Sequence, residues 1–256
     1  MQGFTDRVVL ITGATSGIGR ATALGFAAAG AKVVAAGRDE KRGADLVAEA
    51  RTQYGAEVVF RRTDITIEEN VEALVNWTLV AFKQLDSAIN TVGINPHGSL
   101  QESRGEDFDA IFATNTKGVF HCLKHQINAM RNSGGAIVNV SSIAGERFLS
   151  NRGLYCASKA AASMLIRAAA VEGGEFGIRV NEIAPGTIDT PMLRETWARR
   201  NQSATIAPDA IKAKIPLKRL GDPDEAAHAI MFLCSDEAKF ITGARLTIDG
   251  GLVLVV

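Results

Sequence analysis

Apolar and polar positions along the chain form two alternating kinds of segment. Short runs rich in β-branched residues, such as Val8 to Thr12, predict buried strands. Longer segments with apolar residues at helical spacing follow them, such as Gly17 to Ala29, which Gly30 ends. About seven strands are predicted, at 8–12, 32–36, 57–61, 87–91, 136–140, 178–184 and 245–248. Helices are predicted at 17–29, 40–54 (capped by Asp39), 67–82, 117–130, 154–173 and 224–234.

The alternation of strands and helices predicts an α/β fold. Strand–helix–strand units with right-handed crossovers build a doubly wound parallel sheet with helices on both faces, a Rossmann-like arrangement. A chain of 256 residues fits such a fold as a single domain, residues 1–256. We therefore expect one dinucleotide-binding type of domain.

One long segment, Gly186 to Asp222, lacks clear periodicity and contains several prolines. Long excursions in compact domains are usually functional. This one begins at the carboxyl end of a predicted strand, where open α/β sheets bind their ligands. We therefore expect an irregular substrate lid at 186–222, with a surface insertion of no particular role as the alternative.

A glycine-rich stretch, TGATSGIG at Thr12 to Gly19, joins the first predicted strand to the first helix. Glycines let the turn close tightly and let backbone N–H groups approach a pyrophosphate, next to the positive end of the helix dipole. Such a stretch is weak evidence alone, but its position between strand and helix is the context that a dinucleotide site requires.

The residues after the second strand distinguish two dinucleotides. Gly37 stands where NAD sites place an acidic residue, and Arg38 beside it can hold the 2′-phosphate of NADP. The alternative is a solvated Arg38 neutralised by Asp39 or Glu40. The expectation is NADP(H) preferred over NAD(H).

Tyr155 and Lys159 lie four residues apart on one face of a predicted helix. A free tyrosine loses its proton only near about pH 10, and a nearby lysine cation lowers that pKa. Ser142 ends the fifth strand at the edge where reacting groups gather, and its hydroxyl can hydrogen-bond a substrate oxygen. Because YxxxK alone is common by chance, the three residues carry weight only together with the glycine loop.

Together these features resemble the short-chain dehydrogenase/reductase family over nearly the whole chain. Many matches in order, each in its proper structural context, are far more specific than any one of them. The matching pieces are TGATSGIG at 12–19, Asp64, Asn90 with Gly93, Asn115, NVSS at 139–142, YCASK at 155–159, IRVN at 178–181, PGTIDT at 185–190 and TIDGG at 247–251.

The resemblance implies an oxidoreductase that moves a hydride between NADP(H) and a secondary alcohol or ketone. Tyr155 would be the general acid in reduction and the base in oxidation, while Lys159 lowers its pKa and binds the ribose. Ser142 would orient the carbonyl, and Asn115 would kink its helix and hold a water that relays protons to Lys159. The implied cofactor contacts are Gly13, Ser16, Gly17, Ile18, Gly19, Arg38, Asp64, Ile65, Asn90, Gly93, Tyr155, Lys159, Pro185, Gly186, Ile188 and Thr190.

Two places depart from the family pattern. After the fourth strand the family usually has Asn-Asn-Ala-Gly, whereas this chain has Asn90-Thr91-Val92-Gly93. This puts the local shape of the cofactor wall in question. Glu182 places a charge inside the sixth strand, where the family tends to be apolar, and if buried it needs a partner that the sequence does not name.

Composition and charge exclude several classes of function. The chain has 28 basic and 28 acidic residues, so no field of one sign favours nucleic acid or a membrane surface. The three cysteines have no CxxC spacing, which predicts a reducing compartment. Residues 1–7 lack an apolar stretch, so a cytoplasmic location is expected. His121 and His125 have the spacing of zinc ligands, but a helix packing face is expected and no metal is predicted.

Charged residues near the expected substrate pocket leave the substrate open. They lie between Ser142 and Tyr155, after the fourth strand and on the lid. They can bind an anionic group of the substrate. The alternative is that they are solvated charges balanced by glutamates. They are Arg147, Arg152, His97, Arg194, Arg199 and Arg200. The substrate itself, its stereochemistry and the direction of the reaction are not predicted.

The chain ends on five aliphatic residues, Leu252 to Val256, which an exposed surface rarely carries. The resemblance implies a homotetramer that pairs the helices at 117–130 and 154–173 and abuts the last strands. The competing functions are an NAD-preferring dehydrogenase, a non-catalytic NADP-binding regulator and another Rossmann-like enzyme such as a methyltransferase. The complete set of Asn115, Ser142, Tyr155 and Lys159 favours the reductase.

Overall fold

The structure is a computed structural model that describes residues 3–200 and 208–255. A seven-stranded sheet runs through it in the order β3-β2-β1-β4-β5-β6-β7, and neighbouring strands are parallel throughout. The strands are β1 Val8–Thr12, β2 Lys32–Gly37, β3 Val58–Arg62, β4 Ser87–Asn90, β5 Gly135–Val140, β6 Ile178–Pro185 and β7 Arg245–Ile248. The doubly wound α/β fold predicted from the sequence is confirmed.

Helices cover both faces of the sheet. They are α1 Gly17–Ala28, α2 Glu40–Tyr54, α3 Glu68–Phe82, α4 Gly105–Phe112, α5 Gly118–Met130, α6 Gly153–Gly174, α7 Pro191–Arg200, α8 Pro208–Lys214 and α9 Pro223–Cys234. Every strand and helix predicted from the apolar pattern is present, with ends that agree to within one residue. Asp39 caps α2 as predicted, because its carboxylate accepts a hydrogen bond from the backbone N–H of Arg42.

Two apolar layers sandwich the sheet. On one face α1, α2 and α9 pack over side chains such as Val9 and Val33, and on the other α3, α5 and α6 pack over Leu10 and Val34. β1 is buried at every position, which explains its unbroken apolar run. Of the helices in the described ranges, α6 alone has the length and apolar composition to cross a membrane, and its buried Ile166, Ala169 and Ala170 pack in the second layer.

Helix α4 was not predicted from the sequence. It precedes a π-helical turn, Ala113–Lys117, which continues into α5, so the helical segment starts well before residue 117. Phe108, Ile111 and Phe112 of α4 have helical spacing, but the helix spans only eight residues, which is shorter than the window over which apolar periodicity identifies a helix. Its start is fixed by Asp107, whose carboxylate accepts a hydrogen bond from the N–H of Arg104.

The segment at 186–222 is not irregular as expected, because it contains α7 and α8. Both begin at a proline, Pro191 and Pro208. The prolines were noted as part of an irregular stretch, but proline is favoured in the first turn of a helix, where its missing N–H is not needed. Residues 201–207 of this segment, like Met1, Gln2 and Val256 of the predicted termini, lie outside the described residues.

Candidate active site

A cleft of about 520 Å³ opens along the carboxyl ends of the central strands, at the edge where parallel α/β sheets bind ligands. Its walls come from the glycine loop, the ends of β2, β4, β5 and β6, the start of α6 and the segment that holds α7 and α8. The predicted site residues in its lining are Gly13, Ser16, Gly17, Ile18, Gly19, Arg38, Asp64, Ile65, Gly93, Ser142, Tyr155, Lys159, Pro185, Gly186, Ile188 and Thr190.

The glycine loop closes tightly because its glycines lack side chains. Gly13 has φ +78° and donates a 2.9 Å hydrogen bond from its N–H to the carbonyl of Ala36. A Cβ on Gly19 would lie 2.3 Å from the carbonyl oxygen of Gly13, so no larger residue fits there. Ser16 is the N-cap of α1, but its side chain does not cap the helix, and the first-turn residues Gly17 to Gly19 line the cleft.

The altered residues after β4 fit this loop. Thr91 donates a 2.8 Å hydrogen bond from its hydroxyl to the carbonyl of Thr12, and its Oγ1 occupies the space beside Gly13 and Gly19. Val92 packs against a small apolar cluster that includes Ile65. The departure from the family pattern therefore leaves an ordered wall on the cleft.

At the far end of the cleft, Gly37 and Arg38 follow β2. A Cβ on Gly37 would lie 2.9 Å from Cγ2 of Thr15, so an acidic side chain does not fit without a shift. The Asp39 carboxylate is engaged elsewhere, with an oxygen 3.2 Å from Nε of Arg42. Neutralisation of Arg38 by Asp39, the alternative raised by the sequence, therefore competes with this contact.

Asp64 lies at the same end of the cleft as Arg38, and its carboxylate can accept hydrogen bonds there. Burial acts to raise the pKa of its carboxyl group, but hydrogen bonds from the N–H and hydroxyl of Thr66 and the charge of Arg38 lower it, and the net direction is downward. Asp64 is thus held ionised and oriented.

Ser142, Tyr155 and Lys159 converge at the other end of the cleft, and all three side chains are largely buried. The ammonium nitrogen of Lys159 lies 6.0 Å from the centre of the Tyr155 ring. The Ser142 hydroxyl accepts a 3.1 Å hydrogen bond from the N–H of Ala144 and thereby caps the short 3₁₀ turn, Ile143–Gly145, that follows β5. The grouping that the sequence predicted is therefore present.

The pKa values of this group differ from the expectation. Burial raises the pKa of Tyr155 above its ordinary value of 10.0, although a hydrogen bond with Ser142 and the charge of Arg152 act to lower it. Burial also lowers the pKa of Lys159 to about 8, against the charge of Glu182. The resemblance implied that Lys159 lowers the pKa of Tyr155, but the net direction of the shift is upward because burial outweighs the groups that act to lower it. The Tyr155 phenol is therefore protonated at neutral pH.

Asn115 lies behind the cleft, fully buried within the π-helical turn at 113–117. Its Oδ1 accepts a 2.8 Å hydrogen bond from the N–H of Ile94, and its Nδ2 donates to the carbonyl of Ile94 and to the hydroxyl of Ser158. The side chain thereby ties the irregular turn to the segment after β4 and to α6.

Asn90 is not where the resemblance implied. Its amide is buried beneath the cleft, and its Nδ2 donates 2.9 Å hydrogen bonds to Oδ1 of Asn139 and Oε1 of Gln126. Its Oδ1 accepts from the hydroxyl of Thr12. These partners join β1, β4, β5 and α5, so Asn90 supports the floor of the cleft rather than forming its surface.

The cleft is also lined by residues that the sequence did not identify. They share an apolar character and come from the turn after β5 and from α7 and α8: Leu149, Met192, Leu193, Trp197 and Ile211. Their only sequence signal was the position of the segment at 186–222 after β6, since no motif marks a substrate pocket.

Of the charged residues proposed for this pocket, Arg152 lines the cleft. Arg147 instead donates a hydrogen bond to the carbonyl of Val253, and His97 is exposed. Arg194 forms a two-point ion pair with Asp189, at 2.8 and 3.0 Å. The side chains of Arg199 and Arg200 lie outside the description.

The two histidines of α5 face a carboxylate. Nδ1 of His121 contacts the carbonyl of Ile65 at 2.9 Å, and Nε2 of His125 lies 3.2 Å from Oε1 of Glu68, which also pairs with Lys124. Within residues 3–200 and 208–255, no three His, Cys, Asp or Glu side chains form a metal-binding group.

Comparisons with known proteins agree with this geometry. Residues 13–253 match the family model described as enoyl-(acyl carrier protein) reductase. The chain is 41% identical to cis-4-hydroxycyclohexanecarboxylate dehydrogenase of Sinomonas cyclohexanicum, over 99% of both chains. It superimposes on levodione reductase with a TM-score of 0.96 at 36% identity, covering 99% of this chain and 100% of the other.

A further solved structure, ElxO with NADP bound, matches with a TM-score of 0.89 at 33% identity, covering 98% of this chain and 100% of that one. The first two of these proteins are a dehydrogenase and a reductase by name, and the family uses NAD or NADP to interconvert CH–OH and C=O groups of small molecules. The chain belongs to the short-chain dehydrogenase/reductase family and is an oxidoreductase of that type.

Proposed function

We propose that this protein reduces a ketone, or oxidises the matching secondary alcohol, with NADP(H) as its cofactor and Tyr155 as the proton-transfer residue. The observation that carries the proposal is the convergence of Ser142, Tyr155 and Lys159 at one end of a cleft whose other end holds the glycine loop and Arg38. One elongated site thus combines a phosphate cradle with a proton donor.

Each residue of the group has a separate task in reduction. A dinucleotide bound in the cleft supplies the hydride. Tyr155, protonated at neutral pH, donates its phenolic proton to the carbonyl oxygen, and the hydroxyl of Ser142 hydrogen-bonds the same oxygen. Lys159 contributes positive charge near the tyrosine and a donor for ribose hydroxyls, while Asn115 keeps the adjoining helix in its π-helical form.

The preference for NADP(H) rests on the residues after β2. Arg38 lines the cleft with its planar, permanently charged fork, which suits a 2′-phosphate. An acidic side chain in place of Gly37, which would bind the free ribose hydroxyls of NAD, meets Thr15. The ElxO structure was solved with NADP bound, which is a property of that protein. An NAD-preferring dehydrogenase remains the alternative.

For the substrate we propose a cyclic secondary alcohol or ketone that carries a carboxylate. Besides the implied cofactor contacts, the cleft lining is largely apolar, with polar residues such as Asn95 and Ser150. It also includes Arg152, whose charge acts on Tyr155 and therefore lies near the reacting oxygen. An apolar ring and one anionic group match these two features. One relative is named for cis-4-hydroxycyclohexanecarboxylate, a compound of this class.

We further propose that the segment at 186–222 is the substrate lid. Its helices α7 and α8 contribute Met192, Trp197 and Ile211 to the cleft. Its base is held by a bridge between Ile188 and Gly221, which fixes where the segment leaves and rejoins the fold. Such a helical cover excludes water from the reacting groups.

A homotetramer is proposed from exposed apolar side chains on α5 and α6. Phe120, Met164 and Val171 are exposed there, and so are Leu246 on β7 and Leu254 in the C-terminal turn. Surfaces of this kind mark subunit interfaces. Light scattering at micromolar concentration tests the proposal, and a monomeric mass would contradict it.

The function is tested with purified protein and the ketone 4-oxocyclohexanecarboxylate. We expect NADPH to bind in a fluorescence titration and to be consumed when the ketone is added. Binding without turnover of any of a panel of cyclic and linear ketones would favour the non-catalytic regulator. If neither dinucleotide binds, the proposal fails, and a methyltransferase-type function returns as a candidate.

A further inference from the structure

Glu182 and Arg245 form a buried ion pair directly behind the candidate catalytic residues. They are register partners on the neighbouring strands β6 and β7. Nη1 of Arg245 lies 3.0 Å from Oε1 of Glu182, and the two side chains are 8% and 2% exposed. Arg245 is therefore the partner that Glu182 needs, and the sequence could not name it because the residues are 63 positions apart.

The guanidinium group of Arg245 joins this pair to the end of β5 and to α6. Its Nη2 donates a 2.6 Å hydrogen bond to the main-chain carbonyl of Ser142. Its Nη1 donates to the hydroxyls of Ser163, at 3.1 Å, and Ser141, at 3.4 Å. Ser163 in turn donates a 2.8 Å hydrogen bond to Oε2 of Glu182, so the network closes on itself.

The turn that follows Ser142 is folded around the same group. Nε of Arg245 lies 3.2 Å from Oε1 of Glu146. A Cβ on Gly145 would lie 3.2 Å from Nη1 of Arg245, so the backbone of the turn rests against the guanidinium. One side chain thus touches both ends of the turn from Ser142 to Glu146.

We propose that the Glu182–Arg245 pair is a positioning element that sets the orientation of Ser142 for catalysis, an inference that rests on the proposed role of that serine. Glu182 holds the guanidinium plane, and the plane holds the Ser142 carbonyl and the turn beyond it. Two-point contacts of this kind need the rigid fork of arginine, which lysine lacks. Because the reacting geometry tolerates little error, a misplacement of about 1 Å costs up to a hundredfold in rate.

Stability alone does not account for the pair. Replacing a buried ion pair with apolar side chains of similar size is often neutral or stabilising, so burial by itself gives no reason to keep two charges here. A rival role is action through Lys159, which lies on α6 one turn before Ser163 and is influenced by the charge of Glu182. The experiment must therefore distinguish an effect of the ion pair on Ser142 from an effect on Lys159.

A double-mutant cycle makes that separation. The doubly neutral variant, Glu182→Gln with Arg245→Met, is combined with Ser142→Ala, and kcat, KM and NADPH affinity are measured for each protein. We expect the neutral pair to lower kcat about tenfold or more in the presence of Ser142, and less than about twofold in its absence. NADPH affinity should stay within about twofold. Equal losses in both backgrounds, or no loss, would overturn the proposal.

A conservative variant and a crystal structure test the inference further. Arg245→Lys retains the charge pair and therefore the fold, and we expect it to lose kcat like the neutral variant, whereas full activity would contradict the role of the fork. A crystal structure of either variant should show the Ser142 hydroxyl displaced by about 1 Å. If the Ser142 hydroxyl does not move in these variants, the inference is contradicted. If the unaltered protein is inactive on ketones, that result counts against the proposed function, and the crystallographic comparison still tests the inference.

Discussion

The ammonium group of Lys159 donates a 3.1 Å hydrogen bond to the main-chain carbonyl of Val140, the last residue of β5. The bond links α6 to the strand end that carries Ser142, and it holds a cation at a largely buried position. Burial is unfavourable for the charge and lowers the pKa of Lys159 to about 8. The candidate active site therefore contains a residue that works against the stability of the fold.

Lys159→Met is expected to stabilise the protein at neutral pH while removing activity. The fall in pKa from 10.5 to about 8 corresponds to at most roughly 3 kcal/mol of destabilisation. The unfolded chain binds more protons than the folded one between these two values. The penalty is therefore complete below about pH 8 and disappears as the pH rises to 10.5.

The measurement is the free energy of unfolding in denaturant at pH 7 and near pH 10. The gain from Lys159→Met should be larger at pH 7. Lys41→Met, at an exposed position on α2, is the control and should leave stability unchanged at both values. A loss of stability at pH 7 on removal of Lys159 would contradict the account of this site.

Arg38→Ala is predicted to weaken NADPH binding and to leave NADH binding unchanged. Loss of a charge-assisted contact with the 2′-phosphate amounts to about 1.5–3 kcal/mol, or roughly ten- to a hundredfold in affinity. Fluorescence titration with both dinucleotides gives the two values. Arg51→Ala, on the exposed side of α2, serves as the charge-matched control. Equal losses of affinity for both dinucleotides would show that Arg38 does not bind the 2′-phosphate.

Arg152→Ala is predicted to act on anionic substrates in particular. With 4-oxocyclohexanecarboxylate we expect kcat/KM to fall more than about tenfold, whereas cyclohexanone should lose less than about threefold because it offers no carboxylate. Arg147→Ala is the matched control, since Arg147 bonds the carbonyl of Val253 instead of lining the cleft. Similar losses for the two ketones would refute an anionic substrate.

The two directions of the reaction should differ in their dependence on pH. Because burial raises the pKa of Tyr155 above 10.0, its phenol is protonated throughout the neutral range. Reduction, which uses the protonated form, should change little between pH 6 and 8. Oxidation uses the phenolate, so its kcat should rise with pH by up to about tenfold per unit. Oxidation that levels off near pH 7 would place the pKa of the base far below this value.

The sequence predicted what depends on local pattern and failed where distant residues meet. The strands and long helices follow from apolar periodicity, and the glycine loop from its position between β1 and α1. Helix α4 was missed because its eight residues are too few for a clear apolar period, and α7 because Pro191 marks a helix start as readily as a break.

The candidate site shows the same division. Tyr155 and Lys159 could be paired from their spacing on one helix, and Ser142 could be assigned to a strand end. The buried partners of Asn90 and the contact of Arg245 with Glu182 depend on how separate strands pack, and no spacing rule reveals them. The direction of the Tyr155 pKa likewise required knowledge of its burial.

The most direct test of the central claim compares Tyr155→Phe with Tyr54→Phe, since these are the two tyrosines of the chain and Tyr54 is exposed at the end of α2. NADPH consumption with a ketone and NADPH affinity are measured for both variants. We predict that Tyr155→Phe lowers kcat about 10²–10⁴-fold with affinity within about threefold, because a positioned proton donor contributes that much. Tyr54→Phe should match the unaltered protein. Turnover that survives in Tyr155→Phe would contradict the account.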